Sequence, residues 1–410
     1  MKLVPALMLA ASSLFLCGQA PPAFSPGVAA ALDGFSKGAY FKSNETLADL
    51  AFAPDGKVRD RTAFQLWTQF NPFLTTEVDP QVYALRAPAA KPDSTWAPRI
   101  SAAVPRDAIA EIVARARNTN IVILNEAHYS PRDRAFALLV ARALRPLGYK
   151  TLAAETFDNN PPAPGTSRID QLKRDGFVRF GTGGYTTDPV FARFVREALA
   201  LGYEPISYEQ TKAQDQPGSG IPEREQAQAD NLMQKIFSSR PKEKVLIFVG
   251  HGHLAEAPGK SGGLMGARLK RMTGVDPLTI DQVGVTDLSA SAREAYDVAS
   301  ARIGKGSAVF FEGADPLVLG GLAGSVDLQV VHPRRSYRSG RPAWLAKLGG
   351  KQIPIPKHLL PAKKGRRLIQ VFAANAPDDA VPLDQVLVTA ESAPPVLIVP
   401  AGPVRFAIQE

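Results

Sequence analysis

Cysteine is almost absent from this 410-residue chain, in which Cys17 is the only one. A single cysteine forms no intramolecular disulfide, and its place in an N-terminal segment that we expect to be removed or lipidated excludes thiol catalysis. No Cys-x-x-Cys-His motif occurs, which excludes covalently attached haem. Helix-turn-helix, zinc-finger and RNA-binding signatures are missing too, so we expect no nucleic-acid partner.

Long apolar runs are also missing. After the N-terminus, no apolar run reaches the roughly 20 residues that span a bilayer, so we expect no transmembrane helix in the mature chain. Lys2 precedes an apolar stretch from Leu3 to Cys17 and then small residues, which is typical of a signal peptide over residues 1–20. Two outcomes stay open: cleavage near Ala20, giving a periplasmic or secreted protein, or a lipid anchor on Cys17.

Acidic residues are missing from one stretch, Leu328 to Pro377, which carries eleven Lys and Arg. Without these eleven, the chain would hold 37 basic and 39 acidic residues, so this stretch accounts for the net charge of +9. Such a segment could face an anionic component of the cell envelope or an anionic substrate. A solvated basic surface is the plainer interpretation.

Residues 118–285 alternate between short apolar runs and helical stretches. The predicted strands are Ile121–Asn125, Thr151–Glu155, Glu204–Glu209, Val245–Val249 and Leu278–Asp281. Continuous apolar strands separated by helices at this spacing predict an α/β fold, with a mostly parallel sheet flanked by helices.

The flanking segments have other patterns. Residues 21–117 are predicted to be a linker, over 21–40, followed by a helical segment. In that segment Pro105 is expected in the first turn of a helix that runs to Ala116. Residues 286–410 are predicted to form a basic, partly β C-terminal region.

Three of the five histidines fall in two motifs, each at the end of a predicted strand. The motifs are Asn125-Glu126-Ala127-His128 and Gly250-His251-Gly252-His253. Because alternate side chains of a strand point the same way, Glu126 and His128 share a face, as do His251 and His253. Ligands and catalytic groups collect at the carboxyl ends of parallel strands, so we expect the two motifs to meet.

Further chemistry-bearing residues follow the other strand ends and loops. Arg224 lies in the first turn of a long predicted helix, where it could bind a substrate carboxylate or hold Glu126. The predicted catalytic residues are Glu126, His128, Glu155, His251, His253 and Arg224. The predicted substrate contacts are Tyr208, Glu209 and Tyr185, the last at the end of a Gly-rich loop.

Two chemistries fit this set, and both give hydrolysis. In one, a divalent metal lowers the pKa of a bound water. Its predicted ligands are His128, His253, Glu126 and Glu155. In the other, no metal takes part: a histidine oriented by a carboxylate is the general base, and a second histidine or Arg224 stabilises the oxyanion.

The order of these motifs resembles a superfamily over about residues 118–284. It joins haem-binding uptake proteins of the ChaN type, Tiki-type proteases and erythromycin-esterase-like hydrolases. The resemblance implies a core site of Glu126, His128, Glu155 and His253, with His251 and Arg224 beside it. The first motif departs from the Tiki pattern, because Asn125 stands where glycine is usual. The esterase branch implies metal-free catalysis. The haem branch implies a histidine or tyrosine near the surface as axial ligand, with Tyr208 and Tyr185 as candidate tyrosines.

Three hypotheses follow. The first is an exported hydrolase that cleaves an ester, amide or peptide bond in a small-molecule or peptide substrate. The second is an uptake-type protein that binds haem or metal without catalysis, and the third is an envelope-binding protein whose site is inert.

Overall fold

The computed structural model describes residues 24–86, 91–259, 262–362, 365–391 and 393–410. The predicted signal peptide at 1–20, with Cys17, lies outside the described residues, so cleavage and lipid anchoring stay predictions. Within the described ranges, no helix combines the length and the apolar character needed to cross a membrane.

Strands and helices alternate through the middle of the chain. The strands are β1 (Val104–Asp107), β2 (Ile121–Glu126), β3 (Thr151–Ala154), β4 (Glu204–Ser207), β5 (Val245–Gly250), β6 (Leu278–Asp281), β7 (Ala308–Glu312), β8 (Asp315–Pro316), β9 (Leu328–Val331), β10 (Tyr337–Arg338), β11 (Arg341–Pro342), β12 (Lys351–Pro354), β13 (Arg366–Ala373), β14 (Asp384–Thr389), β15 (Val396–Val399) and β16 (Val404–Gln409). The helices are α1 (Pro26–Ser36), α2 (Tyr40–Ala51), α3 (Arg61–Thr75), α4 (Pro80–Tyr83), α5 (Trp96–Ala102), α6 (Ala108–Arg115), α7 (Pro131–Leu144), α8 (Arg168–Asp175), α9 (Pro189–Ala200), α10 (Ile221–Leu232), α11 (Met265–Thr273) and α12 (Arg293–Arg302).

The central sheet has the strand order β1-β7-β9-β6-β2-β5-β3-β4, with β8 added to β7. The run from β9 to β4 is parallel, and β1, β7 and β8 are antiparallel. Every residue of β2, β3, β5 and β6 is buried, which is expected when helices cover both faces of a parallel sheet. The predicted α/β fold is therefore confirmed.

The sheet extends beyond the segment predicted to form it. β1 precedes residue 118, and β7 to β9 follow residue 285, so both predicted boundaries fall within one sheet. The predicted helical turn at Pro105 is wrong: Pro105 lies in edge strand β1, and Asp107 caps helix α6. An edge strand tolerates proline because one side of its backbone needs no donor. The predicted linker at 21–40 contains helix α1.

The C-terminal region is β-rich, as predicted. β13 lies between β14 and β16 in an antiparallel sheet, and β12 pairs with β15. In the basic stretch at 328–377, five arginines form ion pairs with carboxylates from elsewhere in the chain. The pairs are Arg334–Asp297, Arg335–Asp287, Arg341–Asp384, Arg366–Glu45 and Arg367–Glu410. The surplus charge of this stretch is thus partly neutralised within the fold.

Candidate active site

The strand ends named by the sequence meet at one edge of the sheet. β2, β5, β3 and β4 are neighbours in that order, and Glu126 pairs in register with Gly250. Glu155 directly follows β3, and its N–H donates to the carbonyl of Phe248 in β5 at 3.0 Å. Because the four strands are parallel, their carboxyl ends bring these residues together.

Glu126 is held by a buried arginine from helix α7. Nε of Arg134 donates to Oε2 of Glu126 at 2.6 Å, and Nη2 donates to Oε1 at 3.2 Å. The same guanidinium donates to the carbonyl of His128 at 2.7 Å and to Asp188 at 2.8 Å. Buried charges are retained when they are paired and hydrogen-bonded. Arg134 therefore fixes Glu126 and the main chain of His128 in one arrangement.

Glu126 in turn orients the imidazole of His128, whose Nδ1 lies 2.9 Å from Oε1 of Glu126. A carboxylate only accepts, so Nδ1 carries the donated proton and Nε2 of the neutral ring carries the lone pair. Nε2 is buried and has no hydrogen-bond partner among the described residues. A methyl group added at Gly250 would lie 2.5 Å from Nε2 and 3.0 Å from Oε2 of Glu155. Because Gly250 has no side chain, a point that faces both Nε2 of His128 and the carboxylate of Glu155 stays free of protein atoms.

Two aromatic rings enclose His128. Tyr185 stacks on it, with ring centroids 4.1 Å apart and ring planes 15° apart. His251 meets it edge-on, with centroids 5.1 Å apart and planes at 88°. The hydroxyl of Tyr185 accepts from the Gln69 amide at 2.8 Å, which fixes the stacked ring. The plane of the imidazole is therefore set by packing as well as by Glu126.

Arg224, at the start of α10, joins the ends of β3 and β4. Nη2 donates at 2.6 Å to Oε1 of Glu155 and at 2.6 Å to Oε2 of Glu209. Nε donates to the other oxygen of Glu209 at 2.9 Å. Oε2 of Glu155 accepts from the backbone N–H of Gly250. The guanidinium therefore bridges two buried carboxylates in the bidentate geometry that arginine favours.

The two carboxyls have opposite pKa shifts. Burial alone would raise the pKa of Glu155, but the positive charges of His253 and Arg224 hold it well below its usual value. Burial raises the pKa of Glu209; Arg224 offsets part of that shift, and the charge of Glu155 adds to it. Of these two carboxyls, Glu155 is therefore the one that stays charged over the wider pH range.

His253 is oriented by a second glutamate. Its Nδ1 lies 2.5 Å from Oε1 of Glu225, whose Oε2 accepts from the N–H of Met265 at 2.6 Å. Its Nε2 lies 3.2 Å from Nη1 of Arg224 and 3.5 Å from Oε1 of Glu155. Burial would lower the pKa of His253, but Glu225 and Glu155 raise it above its usual value. These two carboxylates therefore favour the protonated form of His253, against the opposing charge of Arg224.

His251 lies in the turn after β5 and is more exposed than the other two histidines of the motifs. Its φ of +40° falls in the left-handed region. This conformation costs free energy for a residue that carries a side chain. Its N–H donates to the carbonyl of Glu126 at 2.8 Å, and its carbonyl accepts from the Asn125 amide at 2.7 Å. Residues of strand β2 therefore hold His251 in this strained turn through both its N–H and its carbonyl.

The predicted metal ligands do not form a ligand set. They were His128, His253, Glu126 and Glu155. Arg134 donates to both oxygens of Glu126, and Arg224 donates to Glu155. Each of these two carboxylates is therefore already paired with a guanidinium, which takes the place of a metal cation. Throughout the described part of the chain, no group of three or more His, Cys, Asp or Glu side chains is arranged to hold a metal ion. The donors present do not fit a divalent metal.

The predicted substrate contacts are all deeply buried. Tyr185 is 1% exposed, Tyr208 0% and Glu209 2%. The hydroxyl of Tyr208 donates to the carbonyl of Phe248 at 3.5 Å, and its ring packs in the apolar cluster that contains Ile123. Tyr185 reaches the site through its stack on His128. Direct contact of these three residues with a substrate stays a prediction.

Arg134, Asp188 and Glu225 also hold the site residues in place, and none of them was predicted as a site residue. Arg134 follows Arg132 and Asp133 in the first turn of a helix, so its sequence context gives no separate signal. Asp188 is the N-cap of α9, so its sequence context indicates only a helix start. Glu225 follows Arg224 directly, and only the fold shows that it turns to His253.

No protein-family model and no curated protein sequence matches this chain. Loosely similar solved structures include a bacterial protein toxin, at 13% identity and a TM-score of 0.35 over 63% of this chain and 57% of that one. Another is RRSP, a MARTX toxin effector domain from Vibrio vulnificus, at 14% identity and a TM-score of 0.30 over 58% and 54% of the two chains. A third is the C-terminal region of Pasteurella multocida toxin, at 11% identity and a TM-score of 0.33 over 84% and 56%. The alignments span little more than half of those chains and carry no argument about function.

Proposed function

We propose that this protein is a hydrolase in which His128, oriented by Glu126, is the general base that activates water. One observation carries the proposal: Nε2 of His128 is buried without a hydrogen-bond partner among the described residues, while Nδ1 is held by Glu126. A buried polar nitrogen without a partner costs free energy unless a ligand uses it. A water at Nε2 would lie close to Gly250 and could attack a carbonyl carbon bound beside it.

The neighbouring residues His253, Arg224 and Glu155 supply the charge that such an attack requires. As water adds to the carbonyl, its proton passes to Nε2 of His128 and negative charge develops on the carbonyl oxygen. His253, whose pKa is raised by Glu225 and Glu155, is suited to donate to that oxygen or to the leaving group. Arg224 holds Glu155 and faces His253 at 3.2 Å. No step in this scheme needs a metal.

We propose that the substrate is a carboxylic ester, amide or peptide bond in a small molecule or peptide. The motif order that resembles the ChaN, Tiki and erythromycin-esterase-like superfamily supports this class, and the arginine-held carboxylates favour its metal-free branch. The export pattern at residues 1–20 supports action in the periplasm or outside the cell. The two tyrosines named for the haem alternative, Tyr185 and Tyr208, are buried, which does not favour either of them as an axial ligand.

The test is a hydrolysis panel. Wild type, E126Q and H128Q would be assayed on nitrophenyl esters of increasing chain length and on mixed fluorogenic peptides. Removing a general base or its orienting carboxylate should lower kcat/KM by about 10²–10⁴-fold on any substrate that wild type cleaves. S336A changes an exposed serine and should match wild type. Cleavage that persists at the wild-type rate in both site variants would contradict the proposal.

A further inference from the structure

A second histidine at the same sheet edge has its own hydrogen-bond chain, separate from the site above. His332 follows strand β9 and is 3% exposed. Its Nε2 lies 3.0 Å from Oε1 of Gln282, and its Nδ1 lies 2.8 Å from Oγ of Ser307. Ser307 precedes β7 and is partly exposed. The antiparallel pairing of β7 with β9 brings the two residues together.

The amide of Gln282 fixes the tautomer of His332. Its Nε2 donates at 2.6 Å to the carbonyl of Asn125 and at 3.2 Å to the carbonyl of Asp133. Carbonyls only accept, so the nitrogen of this amide faces them and Oε1 faces His332. Nε2 of His332 must then be the donor, and its Nδ1 carries the lone pair. The hydroxyl of Ser307 therefore donates to a neutral imidazole.

The surroundings keep this imidazole neutral. Burial, together with the charges of Arg132 and Lys347, lowers the pKa of His332 well below its usual value. Lys347 donates to the carbonyl of Lys305, two residues before Ser307. The ammonium of Lys347 therefore lies against the loop that leads to Ser307, where it could offset negative charge that develops near Oγ.

We propose that Ser307 is a second nucleophile of this protein, activated by His332 and oriented through Gln282. A serine that donates its proton to a positioned imidazole is activated to attack acyl and phosphoryl electrophiles. The orienting group is a neutral amide rather than a carboxylate, so less charge stabilisation is available to the imidazolium. The expected chemistry is acylation of Ser307 by activated carboxylic esters rather than rapid turnover.

The chemical step with a fluorophosphonate probe balances simply. Oγ of Ser307 attacks phosphorus, fluoride leaves, and the serine proton passes to Nδ1 of His332 and then to solvent. The products are a serine phosphonate ester and hydrogen fluoride. No oxidant, metal or other reactant is required.

The experiment treats the full-length protein with an alkyl fluorophosphonate, then measures intact mass and maps the adduct by peptide mass spectrometry. The expected result is one phosphonate on the peptide that contains Ser307. S307A should abolish it, and H332N should slow it at least tenfold with the fold intact by circular dichroism. Because the adduct is mapped on wild type, the result does not depend on how the variants fold.

Two controls separate this site from the proposed hydrolase. E126Q should label at Ser307 as fast as wild type, and so should S336A, which alters an exposed serine four residues after His332. Labelling of other serines with none at Ser307 would overturn the proposal. So would an adduct at Ser307 that forms equally fast in folded H332N.

Discussion

At the scale of single residues, the site contains two histidines that are each held at Nδ1 by a glutamate. Glu126 orients His128, and Glu225 orients His253. Their other nitrogens meet different surroundings: Nε2 of His128 has no partner among the described residues, whereas Nε2 of His253 faces Arg224. The partner-free nitrogen suits His128 to act as the base, and Glu225 and Glu155, which raise the pKa of His253, suit that residue to the charged role.

Gly250 provides a test of the space in front of His128. In G250A the new methyl group would lie 2.4 Å from Cε1 of His128, so the ring must shift. Misplacement on the order of 1 Å costs about 10²-fold in rate, which is the expected loss of kcat/KM. G252A is the matched control, because its methyl group would meet its nearest neighbour only at 3.7 Å. Equal activity in the two alanine variants would contradict the assignment.

The raised pKa of His253 predicts a pH-dependent contribution to stability. A histidine with a higher pKa in the folded state stabilises it fully below its unfolded value of about 6.5, and this contribution is lost as the pH rises through the folded pKa. H253Q lacks this titration. The gap in unfolding free energy between wild type and H253Q should therefore shrink from about pH 6 to pH 9. Urea titrations at each pH measure it, and a gap that widens with pH would refute the sign.

At the scale of elements, the apolar strands were predictable because buried parallel strands are continuously apolar, whereas their order in the sheet comes only from the structure. The meeting of the two histidine motifs was predictable because they end neighbouring parallel strands. The ion pairs behind them were not: Arg134 and Asp188 are 54 positions apart, and each also fits a plain helix-start pattern. β1 was missed because Pro105 beside a capping aspartate indicates a helix start, and only pairing with β7 makes it a strand.

Asn125 ties three strand ends together, which gives a physical reason for its departure from the glycine pattern. Its side-chain Nδ2 donates to the carbonyl of His251 and to Asp281, both at 2.7 Å, and its side-chain Oδ1 accepts from the N–H of Gln282 at 2.8 Å. N125A leaves these buried groups without partners, at about 1–3 kcal/mol each. We expect a loss of about 2–5 kcal/mol in unfolding free energy.

Denaturant titration measures this loss, and N120A is the comparison. Asn120 precedes β2 and is only partly buried, and its amide donates to the carbonyls of Pro241 and Glu243. Its removal should cost less, because water can reach those carbonyls. A cost of N125A no larger than that of N120A would contradict the role given to Asn125.

At the scale of the whole molecule, a buried ion pair within the C-terminal region also contacts the N-terminal helical segment. Arg341 donates to both oxygens of Asp384, at 3.0 and 2.8 Å, and to Oγ1 of Thr76 at 3.2 Å. The basic stretch therefore has a structural role besides any contact with an anionic partner. Binding of a cell-envelope component by residues 328–377 stays a prediction.

Breaking this pair should be costly. R341M leaves the carboxylate of Asp384 buried without its cation, which typically costs about 3–5 kcal/mol. The double variant R341M/D384N removes the stranded charge and should recover part of that loss. R338M, at an exposed arginine, should change stability by no more than about 0.5 kcal/mol. Equal effects of R338M and R341M would show that the buried pair contributes nothing to the fold.

In the proposed mechanism, His128 activates water without a metal. The measurement that tests it most directly is kcat/KM of chelator-treated wild type and H128Q on the best panel substrate, with metal content determined by elemental analysis. We expect metal-free wild type to keep its activity and H128Q to lose about 10²–10⁴-fold in kcat/KM. Activity that disappears on chelation and returns with a divalent metal, or an H128Q variant as active as wild type, would contradict it.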